Sequence, residues 1–389
     1  MSSLVFRKFT HFAALKSCGV DLLQRFLTKA VSAEESAQIA LPGMGTGEKA
    51  DDEYYRALIA LFRETEHLPD GLCENLYRID ALASAETADR LTEICEKNSI
   101  PLQNTTDPTE TEVAMQLWMA RSDVFDTEYD AQKLQSLRTF THFLSEEKGP
   151  KEFKKPTTKQ LAGMANKLKP WFKRYGRGDD VWITDSEIDG EWWFIIDHGE
   201  RISRTGRIEK GQRQVFRYRP DKDDVLVYNP ETNAIRACAG TIGVKRQFRD
   251  TFGETFFDSK DYFAKEEVYR FEPLCEDPDK VLDCEDVEGI DSVRLVELKY
   301  SGNRGFKEVV TRRSSDILAM YKERKEPQKL PNAENIHRVS FEVVFSGNDK
   351  KPRPVKITSR STIQIARDCD HRVVHAWLRL KKMEIQSGE

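Results

Sequence analysis

The sequence has no run of about 18 consecutive apolar residues, the length a membrane-spanning helix needs. The seven cysteines (Cys18, Cys73, Cys95, Cys238, Cys275, Cys284 and Cys369) are odd in number, and no two stand at C-x-x-C spacing. That excludes a zinc ribbon and a paired disulfide framework, and it fits a reducing cytoplasm. Residues 1–31 scatter Arg7, Lys8, Lys16, Arg25 and Lys29 with no unbroken apolar core or cleavage site, so they do not read as a secretory signal. Gly43, Gly45 and Gly47 do not make a phosphate-binding loop. Glu48 precedes Lys49, and Ala50 stands where a Mg²⁺-binding hydroxyl belongs, which excludes an autonomous ATPase of that class. No internal repeat of fixed period is present.

What is there is a foldable composition. The 389 residues are 39% hydrophobic and 33% charged, enough for two to three domains by length. The net charge of −5 hides an asymmetry. Residues 1–150 hold 15 basic and 25 acidic side chains (−10), and residues 151–389 hold 46 and 41 (+5). Positive charge concentrates in 151–178 and in 350–382. Such asymmetry points to a polyanion partner or to contact between complementary domains.

The first 150 residues read as helices. Apolar stripes run through Phe6, Phe9 and Ala13, then Leu22, Leu23, Phe26 and Leu27. Others follow at Tyr55, Leu58, Ile59 and Phe62, at Leu72, Leu76, Ile79 and Leu82, and at Leu91, Ile94 and Cys95. Asp107-Pro108 has the form of a cap and first helical residue, and Leu134, Leu137, Phe140 and Phe143 close the helical series. A helix from Thr158 carries Leu161, Met164, Leu168, Trp171, Phe172 and Tyr175 on its apolar side, with Pro170 expected to kink it.

From Asp180 the period changes to strands, with Asp189-Gly190 marking a hairpin. Strands are expected at 181–184, 192–196, 215–218, 225–228, 234–238, 268–271, 293–298, 307–310, 339–345 and 355–358. Helices are expected at 244–257, 314–325 and from Asp370. The expected fold is α+β: an all-helical N-terminal domain, then a mixed, mainly antiparallel sheet domain closed by a C-terminal helix. The expected parts are an acidic helical domain (1–148), a basic linker and helix (149–178) and an α+β domain (179–389) with room for a further division near 330.

Four constellations bear on chemistry. The basic helix and the 350–382 segment offer Lys167, Lys173, Arg174, Arg177, Lys351 and Arg353 as contacts to a polyanion; the plainer alternative is a solvated face that docks on the acidic domain. Pro278-Asp279 with Glu297-Leu298-Lys299 matches the PD-(D/E)xK nuclease signature. Asp279 and Glu297 would hold Mg²⁺ and Lys299 would orient a water. A solvent-facing strand edge explains the same residues. His371 and His375 stand at i, i+4 behind Asp368, Cys369 and Asp370, as metal ligands can, but they lack the glutamate of H-E-x-x-H; Asp370 as a helix cap is the competing account. Gly240 and Gly243, near Lys245 and Arg246, could present a helix N-terminus to an anion, or simply ease the entry of a helix. His198 reads as part of a polar turn.

Together these point to a non-enzymatic, cytoplasmic protein that binds nucleic acid or a partner protein, without metal, cofactor or membrane. A place in a bacterial multi-component system such as anti-phage defence is compatible with this. The alternatives are the Mg²⁺-dependent nuclease and a structural adaptor with no affinity for nucleic acid.

Overall fold

The computed structural model describes the chain except residues 1–4, 40, 44–47, 85–86, 104–107, 136, 210, 303–305, 326–329, 348–349 and 368–369. Two compact units emerge, Met1–Gln135 and Ser136–Glu389. The division thus falls before residue 148, and the basic helix belongs with the sheet.

The first unit is helical: α1 (Arg7–Thr10), α2 (Phe12–Ser17), α3 (Val20–Ala30), α4 (Ala33–Ile39), α5 (Glu48–Arg63), α6 (Asp70–Leu82), α7 (Ala88–Lys97), α8 (Glu110–Ala120) and α9 (Ser122–Gln135). The expected stripes pack into one core, except that Ala13 is exposed and Leu15 takes the buried place. Residues 111–118 of α8 are all buried, so this helix forms the centre of the unit rather than its surface. It starts at a capping box. Thr109 Oγ1 accepts from the Glu112 amide, and the Glu112 carboxylate accepts from the Thr109 amide at 2.7 Å. Thr109 is therefore the cap, and Asp107 lies outside the described residues.

The second unit contains β1 (Thr139–Leu144), α10 (Thr158–Arg174), β2 (Val181–Ile188), β3 (Glu191–Gly199), β4 (Ser203–Glu209), β5 (Gln212–Tyr218), β6 (Asp221–Asn229), β7 (Ala234–Cys238) and α11 (Ile242–Phe256). It continues through α12 (Glu272–Glu276), α13 (Pro278–Leu282), β8 (Ile290–Ser301), β9 (Val309–Arg313), α14 (Ile317–Glu323), β10 (Ile336–Phe345), β11 (Arg353–Thr358), β12 (Thr362–Ile365) and α15 (His371–Leu380). Ten strands form one antiparallel sheet in the order β2-β3-β6-β7-β1-β12-β11-β10-β8-β9. The β2–β3 turn uses Asp189 at φ 54° and Gly190 at φ 79°, the positive pair that a two-residue hairpin requires.

β1 corrects the expected helix through Phe140 and Phe143. Thr-Phe-Thr-His-Phe-Leu is rich in β-formers, and a short apolar run does not distinguish helix from strand by spacing alone. As a strand it joins the two halves of the sheet, pairing with β7 on one side and β12 on the other. Its neighbours Phe143 and Leu144 point to opposite faces. Phe143 enters the core under α10 and α11, and Leu144 enters the core that α12 to α15 cover. The expected strand 268–271 is a buried crossing segment, with Tyr269 making only an isolated bridge to Glu384. No helix among the described residues is long and apolar enough to cross a membrane.

Candidate nucleic-acid interface

β4 and β5 pair only with each other and stand apart from the large sheet. The segment between Gly199 and Pro220 carries Arg201, Arg204, Arg207, Lys210, Arg213, Arg217 and Arg219 against two acids, Glu200 and Glu209. All of β5 is exposed until Tyr218. Alternation gives the ribbon two faces. One carries Thr205, Arg207, Gln214, Phe216 and Tyr218. There the Phe216 and Tyr218 rings stack at 5.4 Å, and the Arg207 guanidinium lies 5.3 Å over Phe216. The other face carries Arg204 opposite Arg217, Gly206 opposite Val215, and Ile208 opposite Arg213. Ile208 is 74% exposed and Val215 52%.

An isolated two-stranded hairpin is marginal in water, so the order of this arm must come from its root. Arg219 donates from Nη1 to Gly176 O at 2.8 Å and to Glu200 O at 2.7 Å, while Arg201 Nε donates to Tyr175 O. Gly199 is required here: a Cβ would lie 2.2 Å from Arg219 Cδ and 2.7 Å from the Arg177 carbonyl oxygen. Beneath the root runs a polar chain that starts from the buried His198 and Asp224 and reaches the half-buried Lys222 and Glu200. The Phe172 ring of α10 stacks on His198 at 4.1 Å, and His198 Nε2 lies 3.0 Å from Asp224 Oδ2. Lys222 bridges Asp224 at 3.2 Å and Glu200 at 3.4 Å, and Glu200 meets Arg177 at 3.6 Å. His198 is thus fully buried on β3, not part of a polar turn. Its ring joins α10 to the sheet at the point where the arm departs.

The candidate polyanion contacts separate into three groups. Lys173, exposed and 2.8 Å from Asp179, and the exposed Arg174 lie at the end of α10 beside the arm root. The hydrogen bond that the Lys173 ammonium donates to the Asp179 carboxylate holds its pKa above the ordinary value, so it stays charged. Lys167 sits further back on α10, 3.5 Å from Glu254. Arg177 is only 13% exposed and packs over the Phe172 ring, which makes it part of the root's structure. Arg353 is likewise structural: Nη1 bonds both carboxylate oxygens of Asp370 at 2.6 and 2.7 Å, and the guanidinium covers the Phe345 ring. It and the exposed Lys351 belong to the β10–β11 end, five strand positions from β3, about 24 Å at ordinary strand spacing.

The nuclease trio is not assembled. Glu297 and Lys299 share a strand face, as their spacing requires, but Leu298 between them points into the core that α13 covers. Asp279 is on α13, paired at 2.9 Å with Lys322 of α14. The Glu297 carboxylate, itself buried, is held by Arg313 at 2.6 Å and Arg338 at 3.5 Å. His371 and His375 lie on α15. The sheet adds His142, with ring centroids 5.2 Å from His375, but among the described residues no group of three His, Cys, Asp or Glu could hold a metal ion. His375 Nδ1 is instead 2.7 Å from Glu384 Oε2. Asp368 and Cys369 lie outside the described residues. At the start of α11 the cap is Thr241, and the nearby Lys245 is buried against Thr141 at 2.8 Å, while Arg246 is paired with Glu266.

Sequence reading passes over the arm because Ser203–Glu209 has no apolar alternation to announce a strand, and Val215–Tyr218 alone reads as an ordinary strand of the sheet. The arginine spacing and the Lys210-Gly211 pair were the available signals. No protein-family profile and no curated sequence matches the chain.

Proposed function

We propose that this protein binds nucleic acid through the β4–β5 arm together with the adjoining end of α10. The observation that carries this is the cross-strand pair Arg204 and Arg217, with Arg213 beyond it, on an exposed ribbon where none of the three has an acid partner among the described residues. Like charges directly opposite on a ladder destabilise it, and a phosphate backbone supplies the missing counter-charge. On the other face the exposed Phe216, stacked on the half-buried Tyr218, offers stacking or groove contacts. Binding without turnover is therefore the function favoured over the Mg²⁺-dependent nuclease.

The test is fluorescence anisotropy with labelled duplex DNA, duplex RNA and single strands between about 50 and 200 mM salt. Affinity should fall steeply with salt. The double variant Arg204→Gln, Arg217→Gln should bind more weakly and reduce the slope of log K against log salt by about 1.8, the loss of two phosphate contacts. Absence of binding to every probe at low salt, or an unchanged slope in the variant, would overturn the proposal.

A further inference from the structure

We infer that the arm binds duplex DNA in its minor groove and bends it, with Ile208 and Val215 wedged against a base step; this rests on the nucleic-acid reading above. The arginine-bearing face has an apolar centre. Ile208 and Val215 are diagonal neighbours across the ladder, flanked by Arg204 and Arg217 towards the root and by Arg213 towards the tip. Gly206, opposite Val215, adds no side chain, so the two aliphatic groups stand clear of the ribbon. Among the described residues no second layer covers them, as their exposures of 74% and 52% require.

Two features make them a wedge rather than a chance apolar patch. Both side chains are β-branched and stiff at χ1, so little rotamer freedom is lost when they are inserted. Both are framed by cations that can hold phosphates on either side of the inserted group. Apolar side chains inserted from the minor groove unstack a base step and kink the duplex, and flanking arginines favour the narrow, electronegative groove of DNA. Double-stranded RNA offers a wide, shallow minor groove with no such grip. The cost of unstacking is lowest at a flexible pyrimidine–purine step, which gives the arm a preference without hydrogen bonds to base edges.

Energy transfer between dyes on the two ends of a short duplex reads the bend, while anisotropy reads binding on the same sample. The wild-type protein should raise transfer on a duplex with a central T-A step more than on one with G-C steps only. Ile208→Thr with Val215→Thr keeps strand-forming residues at exposed positions. It should bind within about threefold of wild type, because phosphate contacts dominate affinity, yet lose most of the transfer gain. Binding with no change in transfer, or a variant that bends as well as wild type, overturns the wedge and leaves the binding function standing. Tighter binding to duplex RNA than to DNA also overturns it. Capture by phosphatidylserine vesicles with no binding to any nucleic acid overturns both.

Discussion

Arg204 and Arg217 face each other across the β4–β5 ladder on an exposed ribbon, held by backbone pairing with no carboxylate between them among the described residues. Like charges directly opposite on a ladder destabilise the free protein. Arg204→Gln with Arg217→Gln should therefore leave the melting temperature unchanged or slightly raised while weakening nucleic-acid binding. Thermal denaturation alongside the salt titration checks this, and a clear loss of stability would show that the pair is structural. A gain in stability with a loss of binding is the signature of residues kept for function.

Gly199 tests the root. An alanine there would drive its Cβ into Arg219 Cδ at 2.2 Å and the Arg177 carbonyl at 2.7 Å. The Arg219 side chain can swing away, but only by giving up its bonds to Gly176 O and Glu200 O. Gly199→Ala should cost about 1–3 kcal/mol, the range for overpacking. It should also loosen the arm before the sheet, seen as faster tryptic cleavage between Arg201 and Arg219 under native conditions. An unchanged cleavage rate would mean that the arm does not depend on this clamp.

Much of the fold is legible because burial and period coincide. The stripes through Phe26, Leu58, Leu76 and Ile79 reappear in the helical core, and the Asp189-Gly190 turn sits where its φ values require. Legibility fails where local and long-range terms part. Phe140 and Phe143 stand three apart, as on a helix, yet they lie in a strand whose partners come from β7 and from β12, far along the chain. The candidate site was half legible. Lys173 and Arg174 could be read from charge density, and they do lie beside the arm. β4 could not be read from hydrophobicity, because Ile208 is the one large apolar side chain on the strand and leaves nothing to alternate with. Arg177 and Arg353 look like surface cations in sequence, and only packing shows them laid over Phe172 and Phe345.

Glu297 separates the nuclease from a structural ion cluster. Its buried carboxylate neutralises Arg313 and Arg338, and no second carboxylate of the signature reaches it. Glu297→Gln should destabilise the protein by about 1 kcal/mol, the net worth of a hydrogen bond, because Arg313 is largely exposed and Arg338 partly so and both can turn to water. Lys299→Ala should be close to neutral. Urea denaturation of both variants gives the energies, and incubation of labelled DNA with Mg²⁺ gives the activity. Mg²⁺-dependent cleavage abolished by Lys299→Ala would restore the nuclease.

The histidines between β1 and α15 should weaken the fold in acid. Burial and the nearby His375 and Arg236 push the His371 pKa down to about 2, and burial foremost holds His142 well below its ordinary value. His142 Nε2 and His371 Nε2 are buried without hydrogen-bond partners among the described residues, so none of these offers an acceptor to an added proton. Both rings are neutral in the folded protein but take up protons in the unfolded chain below about pH 6.5. The unfolded state then binds more protons than the native state, so unfolding free energy rises with pH in this window. The contribution is complete above about pH 6.5 and is lost as the pH falls towards the folded-state values, at about 1.4 kcal/mol per pH unit for each ring. The protein should unfold before His371 reaches its own pKa. His371→Leu removes one of the two titrations and keeps an apolar group against Phe140, whose ring lies 5.9 Å from the imidazole centroid. Its urea midpoint should fall less steeply than that of wild type between about pH 6.5 and 5. Parallel pH profiles for the two proteins would place the acid-sensitive group elsewhere.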